Sequence, residues 1–286
     1  MRVVIAGCDG LVGAACVRGF SHRGHGVVAL SHAALDIAGP AAAEVLWKAR
    51  PVDAVVCAAA RPHVEGCERD PAGTRRVNVD ATVQLARTAG QLGAAFVAFS
   101  SEYVFDGTAD RPYVEDDRRN PINEYGRQKR DLENALATLP ETLVVRTSGV
   151  YGFERLRKNF VYQLIDKAGA GESVRVPEDQ LITPTFADSL GDLVAHAMER
   201  GVRGVLHVTG PEPMVRFAFA LLVANAFDLD DDRLVPCSTA SLGLLARRPA
   251  RAALSAHKAL ELGLSPLVFA REGLARMRAS LTCGSR

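Results

Sequence analysis

The chain has 286 residues, with 34 basic residues (Lys and Arg) against 33 acidic ones (Asp and Glu), a net charge of +1 and a pI near 7.7. This balance favours neither nucleic acid nor an anionic membrane as a partner. Met1 leads directly into a strand-like run, and no apolar stretch approaches the roughly 18 residues of a membrane span. We therefore expect a cytoplasmic protein without a signal peptide or membrane segment, folded as one large domain or two closely joined ones.

Cysteine and histidine spacing gives no sign of a metal site. The seven histidines form no ligand pattern, and the six cysteines show no CxxC or zinc-finger spacing. Several of the cysteines lie in apolar segments, so we expect buried free thiols in a reducing compartment. They are Cys8, Cys16, Cys57, Cys67, Cys237 and Cys283.

A glycine-rich turn follows the first strand-like run. Residues 3–6 are apolar and rich in β-branched side chains, and a helical stretch covers residues 11–20. Gly7, Gly10 and Gly13 stand at this junction with the spacing GxxGxxG. Glycine lets the backbone approach a phosphate closely, and a helix N-terminus offers free N–H groups and a positive dipole end. The junction therefore predicts a dinucleotide-binding site.

Strand-like and helical segments alternate along the first half of the chain. This order predicts an α/β fold with a Rossmann-type, doubly wound parallel sheet. The strand-like runs are residues 3–6, 27–30, 54–58, 95–99 and 143–146, with helical stretches such as 72–90 and 125–137 between the later ones. After residue 150 we expect helices near 159–167 and 186–200, strands at 174–176 and 204–208, and then mostly helix.

Tyr125 and Lys129 are four residues apart on one predicted helix face, in the stretch NEYGRQKRDLE. Asn120 and Pro121 resemble a helix start just upstream. The preceding apolar strand ends at Ser101, and the carboxyl ends of parallel strands face the ligand crevice of such a sheet. We therefore expect the serine, tyrosine and lysine side chains to converge there.

These three residue types suit the reduction of a carbonyl group. Hydride addition to a ketone leaves negative charge on the oxygen, which needs a proton. A tyrosine, with an ordinary pKa of about 10, becomes a useful proton donor when a nearby lysine ammonium stabilises its anion. A serine hydroxyl can bind and polarise the carbonyl. The chain is thus predicted to be a nicotinamide-dependent oxidoreductase.

The chain resembles the dTDP-4-dehydrorhamnose reductase family of extended short-chain dehydrogenases/reductases. Collinear matches include GCDGLVG, SSEYVFDG, PINEYGRQK, VVRTSGVYG and EDQLITPTFADSLGDL, and they extend over nearly the whole chain. The resemblance implies 4-keto reduction of a nucleotide-linked deoxysugar by NADPH or NADH. It also implies a dinucleotide-binding domain at residues 1–150 and a smaller, mainly substrate-binding lobe at residues 151–286, with segments that return to the sheet. A homodimer is compatible with this pattern, although the sequence does not decide the oligomeric state.

The resemblance also implies roles for individual residues. Tyr125 resembles the proton donor and Lys129 its partner, which also holds the nicotinamide ribose, while Ser101 replaces the usual threonine and keeps the hydroxyl. Residues expected to contact the cofactor, besides Tyr125 and Lys129, are Gly7, Asp9, Gly10, Leu11, Val12, Gly13, Ser31, Asp36, Ile37, Ala58, Ala59 and Ala60, with Asn78 on the next helix. Residues expected on the substrate side are Glu102, Val104, Phe105, Asn159, Asp179, Gln180, Thr185 and Arg248.

The end of the second strand favours NADPH over NADH. NAD-binding folds usually place an acid about 20 residues past the glycine turn to bind the ribose 2′-hydroxyl. Here the strand ends at Leu30 and is followed by Ser31 and His32, with no acid. We expect Ser31, with Arg23 or His32, to accept a 2′-phosphate. The resemblance puts Asp36 near the adenine instead.

Three alternatives stay open at this point. The first is a nucleotide-sugar epimerase or dehydratase that retains NAD, against which the missing acid and the YVFDG motif argue. The second is a non-catalytic NADP-binding protein resembling the regulatory subunit of methionine adenosyltransferase, although Ser101, Tyr125 and Lys129 are intact. The third is a reductase of a different ketone in secondary metabolism.

Overall fold

A six-stranded, fully parallel sheet organises the first lobe. The computed structural model describes residues 1–264 and 267–283. The strand order is β10-β5-β4-β3-β1-β2, so the chain changes direction across the sheet between β1 and β3. These strands are β1 (Arg2–Ala6), β2 (Gly26–Leu30), β3 (Ala54–Cys57), β4 (Ala95–Ser101), β5 (Thr142–Thr147) and β10 (Gly204–His207).

Helices cover both faces of this sheet, because most side chains of its central strands are apolar and buried. One buried cluster joins α1 and α8 to one face, and another joins α2, α5 and α6 to the other. The doubly wound α/β fold expected from the sequence is confirmed. The helices of this lobe are α1 (Leu11–His22), α2 (Ala42–Lys48), α3 (Val64–Arg69), α4 (Pro71–Arg75), α5 (Thr82–Gln91), α6 (Glu124–Leu136), α8 (Ala187–Glu199) and α10 (His257–Glu261).

Most of the remaining elements pack around a separate apolar cluster built on α7, α9 and α11. Short strands pair within this part: β6 with β9, β7 with β12, and β8 with β11. Its elements are β6 (Val150–Tyr151), α7 (Phe160–Gly169), β7 (Val174–Pro177), β8 (Leu181–Ile182), β9 (Thr185–Phe186), β11 (Met214–Val215), α9 (Arg216–Phe227), β12 (Leu234–Cys237) and α11 (Ala270–Cys283). In the part of the chain that is described, no helix combines the length and apolarity needed to cross a membrane.

Three sequence-based element predictions need correction. The helix of Tyr125 does not start at Asn120: Asn123 is its N-cap, because the Asn123 side chain accepts a hydrogen bond from Gly126 N–H at 2.8 Å. The single helix expected at 72–90 is interrupted by a π-helical segment, Arg76–Ala81, between α4 and α5. The region from 228 to 256 is irregular apart from β12 and short 3₁₀ turns, so the last quarter is not mostly helical.

Candidate active site

A cleft of about 630 Å³ opens at the carboxyl ends of β1 and β3, where the strand order reverses. Ligands of open α/β sheets bind at this position. Most of the residues expected to contact a cofactor line it. The cleft is lined by Gly7, Asp9, Gly10, His32, Leu35, Asp36, Ile37, Ala38, Ala58, Ala59, Ala60, Arg61, Gly73, Arg76 and Val77.

Packing within the protein explains two of the three glycines of the turn. Gly7 has φ +81°, and a Cβ there would lie 2.7 Å from Ala59 N. A Cβ on Gly13 would lie 2.0 Å from Gly7 O, so β1 and α1 could not approach as they do. A Cβ on Gly10 would meet only Gly7 O at an ordinary 3.6 Å. Protein packing therefore does not explain Gly10, which lines the cleft.

The N-terminus of α1 is open for an anion. Gly10 is the N-cap and supplies no side-chain cap, and the first turn contains no acidic residue. The first N–H groups of the helix, including those of Leu11 and Val12, have no intrahelical acceptor. These donors and the helix dipole together form a site for the pyrophosphate of a dinucleotide.

The far end of the cleft has a different basic residue from the one expected. Arg23 is the C-cap of α1, at the other end of the helix and about 18 Å from its start. Its guanidinium is bound to Glu199 and Asp192, so it cannot accept a 2′-phosphate in the cleft. Arg76 lines the cleft instead, and its Nη2 donates to Ala38 O at 3.3 Å.

Ser31 lies directly after β2 but its side chain is used locally, since its hydroxyl accepts from Ala34 N–H at 3.3 Å. Asp36 is exposed and caps its own turn by accepting from Ala38 N–H at 3.0 Å. Asn78 is 1% exposed and lies under the cleft rather than in it. Its side chain binds both the N–H and the carbonyl of Arg61, at 2.8 and 3.0 Å, and so fixes the segment after β3.

The helix of Tyr125 and Lys129 is pressed onto the end of β4. A Cβ on Gly126 would lie 2.1 Å from Tyr103 O, so only glycine permits this approach. Lys129 Nζ donates to Phe99 O at 2.8 Å and lies 5.6 Å from the centre of the Tyr125 ring. Both side chains are buried, with Tyr125 8% and Lys129 4% exposed.

Ser101 and Glu102 complete this group. Ser101 Oγ donates to Glu102 Oε2 at 2.6 Å, and the Ser101 hydroxyl also interacts with Tyr125. Burial raises the pKa of the Glu102 carboxyl, and the hydroxyls of Ser101 and Ser148 oppose that shift. The structure therefore brings together the serine, tyrosine and lysine that the sequence singled out.

Burial dominates the proton affinities of the pair on α6. It raises the pKa of the Tyr125 phenol, with a further rise from the Glu102 carboxylate, so Tyr125 keeps its proton at neutral pH. Burial also lowers the pKa of Lys129 to about 8. At neutral pH the protein thus holds a protonated phenol beside a lysine that is charged but close to its titration point.

Two arginines flank Tyr103, whose ring makes an edge contact with the Tyr125 ring at 5.7 Å between centroids. Arg248 lies with its guanidinium carbon 5.8 Å from the centre of the Tyr103 ring, and Arg216 also acts electrostatically on Tyr103 and Glu102. Arg248 Nη2 binds Glu65 at 2.8 Å, while its Nη1 is buried without a hydrogen-bond partner among the described residues.

Arg216 is fixed by a hydrogen bond from its Nε, while its two Nη atoms stay available. Its Nε donates to Gln180 Oε1 at 2.9 Å, and its guanidinium carbon lies 5.2 Å from the centre of the Phe160 ring. Neither Nη atom makes a hydrogen bond within residues 1–264 and 267–283. Gln180 Nε2 is bound to Thr239, so the whole Gln180 amide is engaged by the protein.

Of the other residues expected on the substrate side, Asp179 carries an exposed carboxylate and Asn159 a buried oxygen that is unpaired among the described residues, whereas Thr185 is buried and hydrogen-bonded within the protein. Asp179 is exposed and accepts from Thr239 N–H at 2.9 and 3.0 Å, and Asn159 carries a buried Oδ1 that lacks a hydrogen-bond partner in the described chain. Thr185 is only 2% exposed, and its hydroxyl is bound to Ser148 O at 2.7 Å and to Thr209. The structure therefore does not bring Thr185 to a ligand-accessible surface.

The side chains of Val104 and Phe105, which were expected on the substrate side, are not accessible to a ligand in this structure. Both residues are 0% exposed. The Phe105 ring stacks on Tyr113 at 4.1 Å between centroids and lies beneath the Arg146 guanidinium. These apolar residues turn inward from the end of β4 and form a small separate cluster, so they support the site from behind.

The residues of this region that the sequence did not indicate include Tyr103, Arg216, Arg76 and Glu65, with Leu35, Ala38, Arg61, Gly73 and Val77 in the lining of the cleft. Tyr103 lay inside a motif that had already been quoted, and its position between Ser101 and Tyr125 was a usable signal. Glu65 had no such signal as the partner of Arg248, because the two residues are 183 residues apart in the chain and meet only in the fold.

Comparison with known proteins identifies the family. The profile described as RmlD substrate binding domain matches residues 1–283. A dTDP-4-dehydrorhamnose reductase of Burkholderia thailandensis is 35% identical over 273 residues, covering 89% of this chain and 90% of that protein. A Streptomyces antibioticus protein, described as a probable dTDP-4,6-dihydroxy-2-methyloxan-3-one 4-ketoreductase, is 34% identical over 270 residues, covering 93% of this chain and 91% of that protein.

A solved structure gives the same answer. The dTDP-4-dehydrorhamnose reductase of Bacillus anthracis in complex with NADP has a TM-score of 0.91 and 25% identity, covering 98% of this chain and 99% of that one. The resemblance expected from the sequence is confirmed: the chain belongs to the RmlD family of extended short-chain dehydrogenases/reductases, which are NAD(P)-dependent oxidoreductases.

Proposed function

We propose that the protein uses NADPH to reduce the 4-keto group of a nucleotide diphosphate-linked 6-deoxysugar. The observation that carries this proposal is the convergence of Ser101, Tyr125 and Lys129 beside the glycine-lined cleft. The names of the relatives agree with it, since both curated relatives are described as reductases of dTDP-linked keto compounds. The complex of the Bacillus anthracis reductase with NADP supports the choice of cofactor.

The two arginines support a substrate that carries a diphosphate. A buried guanidinium nitrogen without a partner is costly, and Arg248 Nη1 is in that position in the ligand-free protein. The free Nη atoms of Arg216 lie near the same tyrosine, Tyr103. Two guanidinium groups with unused donors match a diphosphate, which carries several acceptor oxygens. In this proposal Gln180 acts through Arg216 by fixing its Nε.

The reaction follows from the protonation states of the site. The reduced nicotinamide, when bound, supplies the hydride. Ser101 donates a hydrogen bond to the ketone oxygen, and Tyr125 gives its proton to that oxygen as negative charge develops. Lys129 stabilises the resulting phenolate because its ammonium lies close to the Tyr125 ring. Tyr125 then regains a proton from solvent before the next turnover.

Ser101 has only one proton, and Glu102 competes for it. In this structure Ser101 Oγ donates to Glu102 Oε2 at 2.6 Å. If Glu102 is protonated instead, it can donate to Ser101 and leave the serine proton for the ketone oxygen. The raised pKa of the Glu102 carboxyl favours this arrangement. We therefore assign Glu102 as the group that orients the Ser101 hydroxyl.

The preference for NADPH rests on charge at the end of the cleft. No acid follows Leu30 to repel a 2′-phosphate, while His32 and Arg76 line this part of the cleft. We propose that these two residues, rather than Arg23, attract the phosphate. Replacement of Arg76 by glutamine should weaken NADPH binding more than NADH binding, which fluorescence titration measures. Equal losses for both cofactors would contradict this assignment.

The function is tested by mixing the protein with NADPH and a panel of nucleotide-linked 4-keto-6-deoxysugars, and by following loss of NADPH absorbance. At least one member should be reduced at C4. Arg216→Gln and Arg248→Gln should each raise KM for the sugar nucleotide at least tenfold, with KM for NADPH little changed, because a charged hydrogen bond contributes roughly 1.5–3 kcal/mol.

Arg175→Gln is the matched control for these variants. Arg175 is an exposed arginine on β7 that is bound to Ser241, away from Tyr103. This variant should leave both KM values unchanged. Binding of NADPH without reduction of any ketosugar would favour the non-catalytic alternative, and reduction of unrelated ketones alone would move the substrate class elsewhere.

A further inference from the structure

Glu133 continues the line of catalytic side chains along α6. It follows Tyr125 and Lys129 at the same four-residue interval, so all three lie on one face of the helix. Glu133 is only 3% exposed, which is rare for a glutamate unless it is paired. Reduction as described above does not use this carboxylate, and its burial therefore calls for another explanation.

The Glu133 carboxylate joins the helix to two strands of the sheet. Arg146 on β5 binds it with two hydrogen bonds, Nε to Oε1 at 2.9 Å and Nη2 to Oε2 at 2.8 Å. Ser100 Oγ on β4 donates to Oε1 at 2.5 Å. Arg119 Nη1, from the loop before the helix, donates to Oε2 at 3.0 Å. Ser100 and Arg146 are paired in register, so the carboxylate spans β4 and β5 at one level.

A second layer holds Arg146 itself. Its Nη1 donates to Glu115 O at 2.9 Å and contacts His207 Nε2 at 3.2 Å. His207 is fully buried, and burial together with the Arg146 charge lowers its pKa to about 3, so it is neutral and acts as an acceptor there. The Glu115 carboxylate accepts a hydrogen bond from the backbone N–H of His207 at 2.7 Å. Arg146 is thus held by groups from outside α6 as well as by Glu133.

We propose that Glu133 is a positioning residue for the reaction: it fixes the catalytic helix one turn beyond Lys129 and acts electrostatically on the Lys129 ammonium. The groups that face Lys129 are the carbonyl of Phe99, Tyr125 and Glu133 on its own helix, and the thiols of Cys57 and Cys67. Glu133 is the only carboxylate of this set, and burial raises the pKa of both thiols. Its field therefore offsets part of the effect of burial on Lys129.

Two variants should move the alkaline limb of the pH profile in opposite directions. Glu133→Gln removes the anion and should shift the fall in kcat/KM to lower pH by roughly 0.5 unit, since the Arg146 charge already cancels part of the field. Arg119→Gln removes a cation that is paired with Glu133 on its partly exposed side. It should therefore shift the fall in kcat/KM to higher pH, by a smaller amount than the shift caused by Glu133→Gln. Asp131→Asn, on the same helix but paired outward with Arg75, should not shift it.

The same shifts should appear in the pH dependence of NADPH affinity, measured by fluorescence without any sugar. This readout keeps the inference testable even if the proposed substrate class fails, because Lys129 is expected to hold the nicotinamide ribose. If both variants lose rate at every pH without a shift of the pH profile, Glu133 has only a structural role. If Glu133→Gln does not fold, an unshifted Arg119→Gln profile alone overturns the proposal.

Discussion

Replacement of Tyr125 by phenylalanine is the sharpest perturbation of the proposed chemistry. The change removes one oxygen and leaves the ring in its contact with Tyr103 and near Lys129. Loss of a positioned acid costs roughly 10²–10⁴-fold in rate. Because each tenfold corresponds to about 1.4 kcal/mol, the transition state loses about 3–5 kcal/mol. The folded state loses only the contact with Ser101, about 1 kcal/mol or less.

The assay separates these two effects. We expect kcat to fall by this factor, NADPH affinity to stay within a few-fold, and the free energy of unfolding to change little. Tyr151→Phe is the matched control, since Tyr151 is 1% exposed and its hydroxyl donates to Ala270 O at 3.0 Å, in the other lobe. It should lose about 1 kcal/mol of stability with kcat unchanged. If Tyr125→Phe retains more than about a tenth of wild-type kcat, Tyr125 is not the acid.

Three further outcomes follow from the site. Reduction should decline as pH rises through about 8, because Lys129 then loses the charge that stabilises the Tyr125 phenolate; a flat alkaline profile of kcat/KM would contradict this. Gly10→Ala should fold with near-normal stability but bind NADPH at least tenfold more weakly, whereas Gly13→Ala should be unstable because its Cβ would lie 2.0 Å from a backbone oxygen; calorimetry and cofactor titration distinguish the two. Glu102→Gln should keep most of its kcat, since an amide can still donate to Ser101, and a loss of more than about 100-fold would indicate that the carboxylate form is needed.

Local sequence patterns predicted those parts of the site whose residues are close together in the chain. The strand, glycine turn and helix around Gly7 are one continuous stretch, and packing within the protein explains Gly7 and Gly13. Tyr125 and Lys129 could be paired because a helix has a fixed period. The strands of the sheet were predicted from their apolar runs, which are buried almost throughout in β1, β3, β4 and β5 but only partly in β2.

Long-range contacts and burial could not be read from these patterns. Val104 and Phe105 belong to a motif that ends beside the site, yet the chain turns inward there and hides both side chains. Arg23 is close to the glycine turn in sequence but lies at the wrong end of α1. Arg216 acts electrostatically on Tyr103 although the two residues are far apart in the chain, and no local signal marks such an interaction.

Transfer of a labelled hydride tests the central claim most directly. NADPH that carries deuterium in place of both hydrogens at C4 of the nicotinamide is incubated with the protein and a nucleotide-linked 4-keto-6-deoxysugar, and the reduced product is analysed by mass spectrometry and NMR. The account predicts one deuterium at C4 of the sugar with the wild-type protein, and at least 100-fold slower labelling with Tyr125→Phe. Unlabelled sugar, recovered from a protein that demonstrably binds NADPH, would contradict it.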